Sequence, residues 1–169
     1  TGNAIMAAVK ARGTTVINNA AQEPEIEALC IFLVKMGAEI IGIGTDKITI
    51  KGKEELIAGI EYSIIPDRIE AGTFLIAGAI TSGNVRLKKV NPDHLTIVMD
   101  YLIKAGFKLD YGKDFIEIRP EIKSILPINI TTATYPGFPT DLQAQWMALM
   151  TKADGITTIT EGIYPDRFT

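Results

Sequence analysis

Phe74-Leu75-Ile76-Ala77-Gly78-Ala79-Ile80, then Thr81-Ser82-Gly83, then Asn84-Val85-Arg86-Leu87: this stretch decides the fold, because the chain carries its pattern twice. The earlier copy is Ala4-Ile5-Met6-Ala7-Ala8-Val9, then Gly13, then Thr14-Thr15-Val16-Ile17, and the two glycines stand 70 residues apart. An apolar run of small residues that stops at a glycine predicts a helix and its C-terminal end. The β-branched run that follows predicts a strand.

The match continues outward. Pro24-Glu25 and Pro92-Asp93, 68 apart, predict helix starts, since proline at the first helical position has its φ preset and loses no needed N–H. Ile26 to Met36 and Leu95 to Ala105 carry apolar residues at helical spacing (Ile26, Leu29, Cys30, Leu33; Ile97, Val98, Tyr101, Leu102) and stop at Gly37 and Gly106. Each is followed by two short alternating runs around a turn, Glu39–Ile41 with Lys47–Ile50 and Lys108–Asp110 with Phe115–Ile118. A third copy starts with an apolar helix from Leu142 to Thr151, ended by Gly155, with a strand at Ile156 to Ile159 and a helix opening at Pro165-Asp166. The first helices of the second and third copies are expected near Arg68 and Thr140, each 15 residues before its glycine.

The predicted architecture is therefore α/β, built from helix–strand–helix–strand–strand units, about two and a half of them. Such units cannot bury their apolar faces alone and must stack on copies. The expected division is residues 1–65 and 66–169, with Ile64-Ile65-Pro66 and a loop from Ile128 to Pro139 as connectors. The absence of an initiator Met and the incomplete outer copies read as a fragment cut at both ends, with apolar surface left where further units would pack and self-association as its expected consequence.

Composition excludes several classes. Of 169 residues, 47% are apolar and 22% charged, which argues against disorder. A net charge of −3 without a basic cluster argues against nucleic-acid binding. No apolar run reaches the roughly 20 residues that span a bilayer, and the start has no signal-peptide pattern. The single Cys30 can form no intrachain disulfide, which fits the cytoplasm. No Cys/His cluster predicts a metal and no glycine-rich phosphate loop predicts a nucleotide cofactor.

Repeats of this kind and size resemble the enolpyruvyl transferase fold, an inside-out α/β architecture. Glu23-Pro24-Glu25-Ile26, Gly44-Thr45-Asp46 before Ile48-Thr49-Ile50, the block from Ile65 to Phe74 (Ile65-Pro66-Asp67-Arg68-Ile69-Glu70-Ala71-Gly72-Thr73-Phe74) and the block from Tyr135 to Gln145 (Tyr135-Pro136-Gly137-Phe138-Pro139-Thr140-Asp141-Leu142-Gln143-Ala144-Gln145) are similar to successive motifs of the UDP-N-acetylglucosamine enolpyruvyl transferases. The last two are the most specific. Thr1-Gly2-Asn3 departs from an expected Thr-Glu-Asn, and Tyr164-Pro165-Asp166-Arg167-Phe168 from Phe-Glu-Asn-Arg-Phe, with the arginine kept. The resemblance implies a bacterial cytoplasmic enzyme of peptidoglycan synthesis that moves the enolpyruvyl group of phosphoenolpyruvate to the 3-hydroxyl of UDP-N-acetylglucosamine, without metal or organic cofactor. It places the break between two domains at Ile65-Pro66, gives the first domain its last unit in residues 1–65, and implies that this chain alone is inactive. Two rivals remain: the sister enolpyruvylshikimate-phosphate synthases, and a non-catalytic repeat scaffold that binds a protein partner.

The resemblance also assigns roles. Asp141 would contact the sugar and take the hydroxyl proton; a helix start favours its charged form, so its service as a base would rest on positioning. The blander reading is an acid that complements a helix dipole. Arg167 would face the substrate cleft, where a guanidinium pairs with phosphate or carboxylate through two parallel bonds, although in this chain a solvated side chain is expected. Ile163 would touch the nucleotide-sugar through its backbone. Asp67 and Arg68 read either as a hinge or cleft contact or as a surface ion pair, and Glu23 first as an acid at a helix start and second as a cleft residue. Cys30 lies on an apolar helical face and reads as a buried, inert thiol rather than a catalytic one. His94 reads as exposed. Trp146, Met147 and Met150 read as core.

Overall fold

The computed structural model describes residues 1–119 and 123–168. The chain divides into two compact units, Thr1–Ile65 and Pro66–Thr169.

In the first unit, helix α1 (Gly2–Ala8) leads to strand β1 (Thr14–Asn18), helix α2 (Pro24–Lys35) and strands β2 (Glu39–Ile41) and β3 (Lys47–Lys51). The sheet order is β1-β3-β2, antiparallel throughout, with Thr15 opposite Ile50 and Ile40 opposite Ile50 across the two ladders. Alternation along β3 sends Ile48 and Ile50 to the covered face, where both are fully buried with Ile5, Cys30 and Leu33. Pro24 opens α2 at its first position, and Gly37, at φ 95°, follows its last turn.

In the second unit, α3 (Arg68–Thr81), β4 (Val85–Lys88), a 3-10 turn at Pro92–Leu95 running into α4 (Thr96–Lys104), β5 (Lys108–Tyr111) and β6 (Phe115–Arg119) repeat the same element order. The strand order is β4-β6-β5, again antiparallel, with Val85 and Leu109 flanking Ile118. Asp67 caps α3 by accepting from the Ile69 and Glu70 amides at 2.8 and 3.0 Å. The expected glycine stop is not what ends this helix: Ser82 takes the left-handed conformation, φ 53°, one residue before Gly83.

The third copy departs from the pattern. A 3-10 turn at Thr140–Leu142 precedes α5 (Gln143–Met150), which ends five residues before Gly155. The strand expected at 156–159 is only β8 (Ile159–Thr160), paired in parallel with β7 (Ile130–Thr131), which lies inside the segment expected to be loop. The helix expected at Pro165 is a 3-10 turn, Pro165–Phe168.

What fills the second core is aromatic. Trp146 is fully buried and meets Tyr101 and Phe138 edge-on at 5.8 and 5.6 Å, and its indole N–H donates to the Ile128 carbonyl at 3.4 Å. Met150 joins this core; Met147, read as core from its spacing, is 37% exposed. The two motifs that read as most specific pack on each other here. Gly72 lets the Leu142 side chain seat against α3, where a Cβ would come within 2.5 Å of Leu142 Cδ1. The Gln145 amide donates to Thr73 Oγ1 at 3.0 Å, and the Arg68 guanidinium lies 5.5 Å from the Tyr135 ring. Among the described residues no helix is long and apolar enough to cross a membrane.

Candidate functional site

The site is built at the ends of β7 and β8 and at the start of α5. Leu142, buried against α3, fixes the 3-10 turn in which Asp141 stands, and leaves the Asp141 side chain 64% exposed. Its carboxylate makes no capping bond. Arg167 is exposed, as expected, but it is not without partners. Its guanidinium donates to the Thr140 carbonyl, lies 3.9 Å from Asp141 Oδ1 and stacks 5.4 Å from the Tyr164 ring. Asp141 and Arg167, which are 26 residues apart in sequence, therefore meet. With Phe168, Arg167 also borders a groove of about 550 Å³ over Ala144, Met147 and Thr151 of α5.

The residue that brings these parts together is Glu161, which the sequence reading passed over. Its Oε1 accepts from Thr132 Oγ1 at 2.7 Å, the Ile163 amide at 2.8 Å and the Tyr164 amide at 3.0 Å; its Oε2 accepts from Thr140 Oγ1 at 2.9 Å. Thr132, 2% exposed, follows β7 and in turn accepts from the Gly162 amide at 2.8 Å. Gly162 must be glycine, because a Cβ would meet the Thr132 carbonyl oxygen at 2.6 Å. Burial pushes the Glu161 carboxyl pKa up, but the hydrogen bonds from Thr132, Tyr164, Ile163 and Thr140 outweigh it and hold the value at about 2. Two of its four donors, Thr132 and Thr140, lie far from it in the chain, so the only local hint was an acid two residues before Ile163.

Ile163 is half-buried, and its amide is spent on Glu161. The other candidates fall outside the site. Asp67 is a helix cap. Glu23 stands at the start of α2 without a capping bond, one carboxylate oxygen buried and unpartnered among the described residues. Cys30 is fully buried, and that burial, then the nearby Glu27, pushes its thiol pKa up, as an inert cysteine requires. His94 is half-buried rather than exposed; its Nε2 is 3.0 Å from Asn91 Nδ2, and Asn91 also caps the 3-10 turn. Among the described residues no group of three or more His, Cys, Asp or Glu is placed to hold a metal ion.

An exposed carboxylate facing a guanidinium fits a site for a polar, charged substrate. The model of the EPSP synthase (3-phosphoshikimate 1-carboxyvinyltransferase) family matches residues 1–169, and the chain belongs to that family. Within it, the chain is 53% identical over 169 residues to a UDP-N-acetylglucosamine 1-carboxyvinyltransferase of Chlorobaculum parvum, covering 99% of this chain and 39% of the relative. It is 49% identical to the enzyme of the same name from Chlorobium chlorochromatii, with the same coverage. Among solved structures it is similar to the enolpyruvyl transferase NikO from Streptomyces tendae, with TM-score 0.87 and 27% identity over 98% of this chain and 39% of that one. The chain thus spans about 39% of the length of the relatives it matches.

Proposed function

We propose that this chain is part of a bacterial, cytoplasmic enzyme that transfers the enolpyruvyl group of phosphoenolpyruvate to the 3-hydroxyl of UDP-N-acetylglucosamine, a step of peptidoglycan synthesis. In that reading residues 1–65 are the last unit of one domain, and residues 66–169 open the other and carry its share of the site. The chain alone is inactive, because residues on the absent part must close on the substrate. The observation that carries the proposal is the meeting of Asp141 and Arg167 at 3.9 Å, in a chain about half identical to relatives named for this acceptor.

The chemistry follows from the two groups. The sugar hydroxyl is a poor nucleophile until it loses its proton, and the exposed Asp141 carboxylate is the base that orients it and accepts that proton. Attack on the substituted enolpyruvyl carbon, with a proton delivered to the neighbouring methylene, gives a tetrahedral intermediate; loss of a proton from the resulting methyl group as phosphate leaves restores the double bond. Arg167 lies beside this carboxylate and supplies fixed positive charge to an anionic substrate. Because its amide is taken by Glu161, Ile163 offers its carbonyl oxygen to the nucleotide-sugar.

In the full-length protein, Asp141→Asn keeps the shape and removes the base. Steady-state assays are expected to show kcat lowered about 100-fold or more. A variant that turns over at the parent rate would remove Asp141 from the mechanism.

A further inference from the structure

The geometry points to Glu161 as the positioning residue of this site: its carboxylate ties the end of β8 to β7, to the turn holding Asp141 and to the loop holding Ile163 and Arg167. This rests on the reaction proposed above.

Four donors converge on one carboxylate, from three separate segments. Thr132 belongs to the end of β7, Thr140 to the turn before α5, and the Ile163 and Tyr164 amides to the loop that leads to Arg167. A carboxylate offers about four acceptor positions, and here three donors crowd Oε1 and one meets Oε2, so its bonding is spent mainly on the protein itself. It therefore acts through what it holds. Thr140 is the pivot. Its hydroxyl donates to Glu161, its carbonyl accepts from Arg167, and the next residue is Asp141. Moving Thr140 moves the floor under both functional groups together. Bonds to an ionised acceptor are shorter and stronger than neutral ones, so the negative charge is part of the clamp. The low carboxyl pKa agrees with an arrangement that stays ionised throughout the working range.

The test uses the full-length protein with phosphoenolpyruvate and UDP-N-acetylglucosamine, and five variants: Glu161→Gln, Thr140→Val, Arg167→Ala, and each of the first two combined with the third. Misplacing reacting groups by about 1 Å costs about 100-fold in rate, so Glu161→Gln and Thr140→Val are each expected to lower kcat by roughly 10- to 100-fold. In the Arg167→Ala background the same changes are expected to cost clearly less than in the parent, because one of the two groups they position is gone. Thr140→Ser, which keeps the hydroxyl, should recover most of the loss. Thr140→Val leaves three of the four Glu161 bonds in place, so it still tests the clamp if Glu161→Gln folds poorly. Parent-level kcat in Thr140→Val, or losses that multiply in full with Arg167→Ala, would overturn the inference. Should Arg167→Ala alone be silent, the underlying site is wrong and the clamp falls with it. A damaging Arg167→Ala beside a silent Glu161→Gln and Thr140→Val condemns the clamp alone.

Discussion

The sheet of the first unit and the sheet of the second share one strand order, yet they dress it differently. In the second, Arg86, Glu117 and Asp110 stand opposite one another across the three strands. Arg86 and Arg119 each pair with Glu117 at 3.0 Å, and Arg119 also reaches Asp110 at 3.8 Å. The corresponding row of the first sheet is Val16, Thr49 and Ile41, and Ile41 is 73% exposed. The neighbouring row points to the core and hardly changes: Ile48 and Ile50 in one, Ile116 and Ile118 in the other, all essentially inaccessible. The lesson is that the apolar row facing the core sets the fold, while the neighbouring row is free to carry an ion ladder, with Glu117 itself buried, or a β-branched row.

The strongest way to break this comparison is to cut the shared row. Ile50→Ala and Ile118→Ala should each cost about 2–5 kcal/mol in urea unfolding followed by circular dichroism. If one is tolerated and the other is not, the two cores are not equivalent. A smaller effect tests the helix above each sheet. Gly78 stands 70 residues after Ala8, and a Cβ there would meet Val85 Cγ2 and Ile118 Cγ2 at 2.9 Å. Gly78→Ala is therefore expected to destabilise by about 1–3 kcal/mol despite its better helix propensity. A stabilised variant would mean that the second sheet has room the structure does not give it.

Acid sharpens the comparison next. The second unit holds Glu161 near 2, well below an ordinary glutamate. A carboxyl whose value is depressed by folding gives stability that is present above its unfolded value and is lost as the pH falls through the folded one. The contribution of Glu161 should thus begin to fade below about pH 4.5 and be gone near pH 2. Carboxyl carbon shifts read by NMR should show Glu161 titrating well below the ordinary glutamate range. Titration within that range would mean that the clamp is absent in solution. The smallest effect is a transplant. Val16→Arg with Thr49→Glu puts a cross-strand ion pair on the first sheet and should change stability by only about 0.2–1 kcal/mol. A loss of several kcal/mol would show that the β-branched row is buried in solution.

Much of this was legible in the sequence, and the reasons are physical. Apolar spacing and proline-led helix starts gave both three-stranded units their elements nearly residue by residue. The motifs from Ile65 to Phe74 and from Tyr135 to Gln145 reached the family and pointed to Asp141. Legibility ended where tertiary contact overrode local pattern. Gly155 marked no helix end, and Ser82, not Gly83, took the left-handed turn. Met147 kept helical spacing but faces outward. Arg167 is exposed as expected, but its reach to Thr140 and Asp141 was not legible, because they lie 27 and 26 residues earlier in the chain. Glu161 was invisible for the same reason: two of its four donors, Thr132 and Thr140, lie far from it in the chain.

The acceptor decides the account. Phosphate release from phosphoenolpyruvate by the full-length protein should be measured with UDP-N-acetylglucosamine and, separately, with shikimate 3-phosphate. Release with the nucleotide-sugar alone, abolished by Asp141→Asn, is the result this account predicts. Release with shikimate 3-phosphate alone, or with neither acceptor, would contradict it.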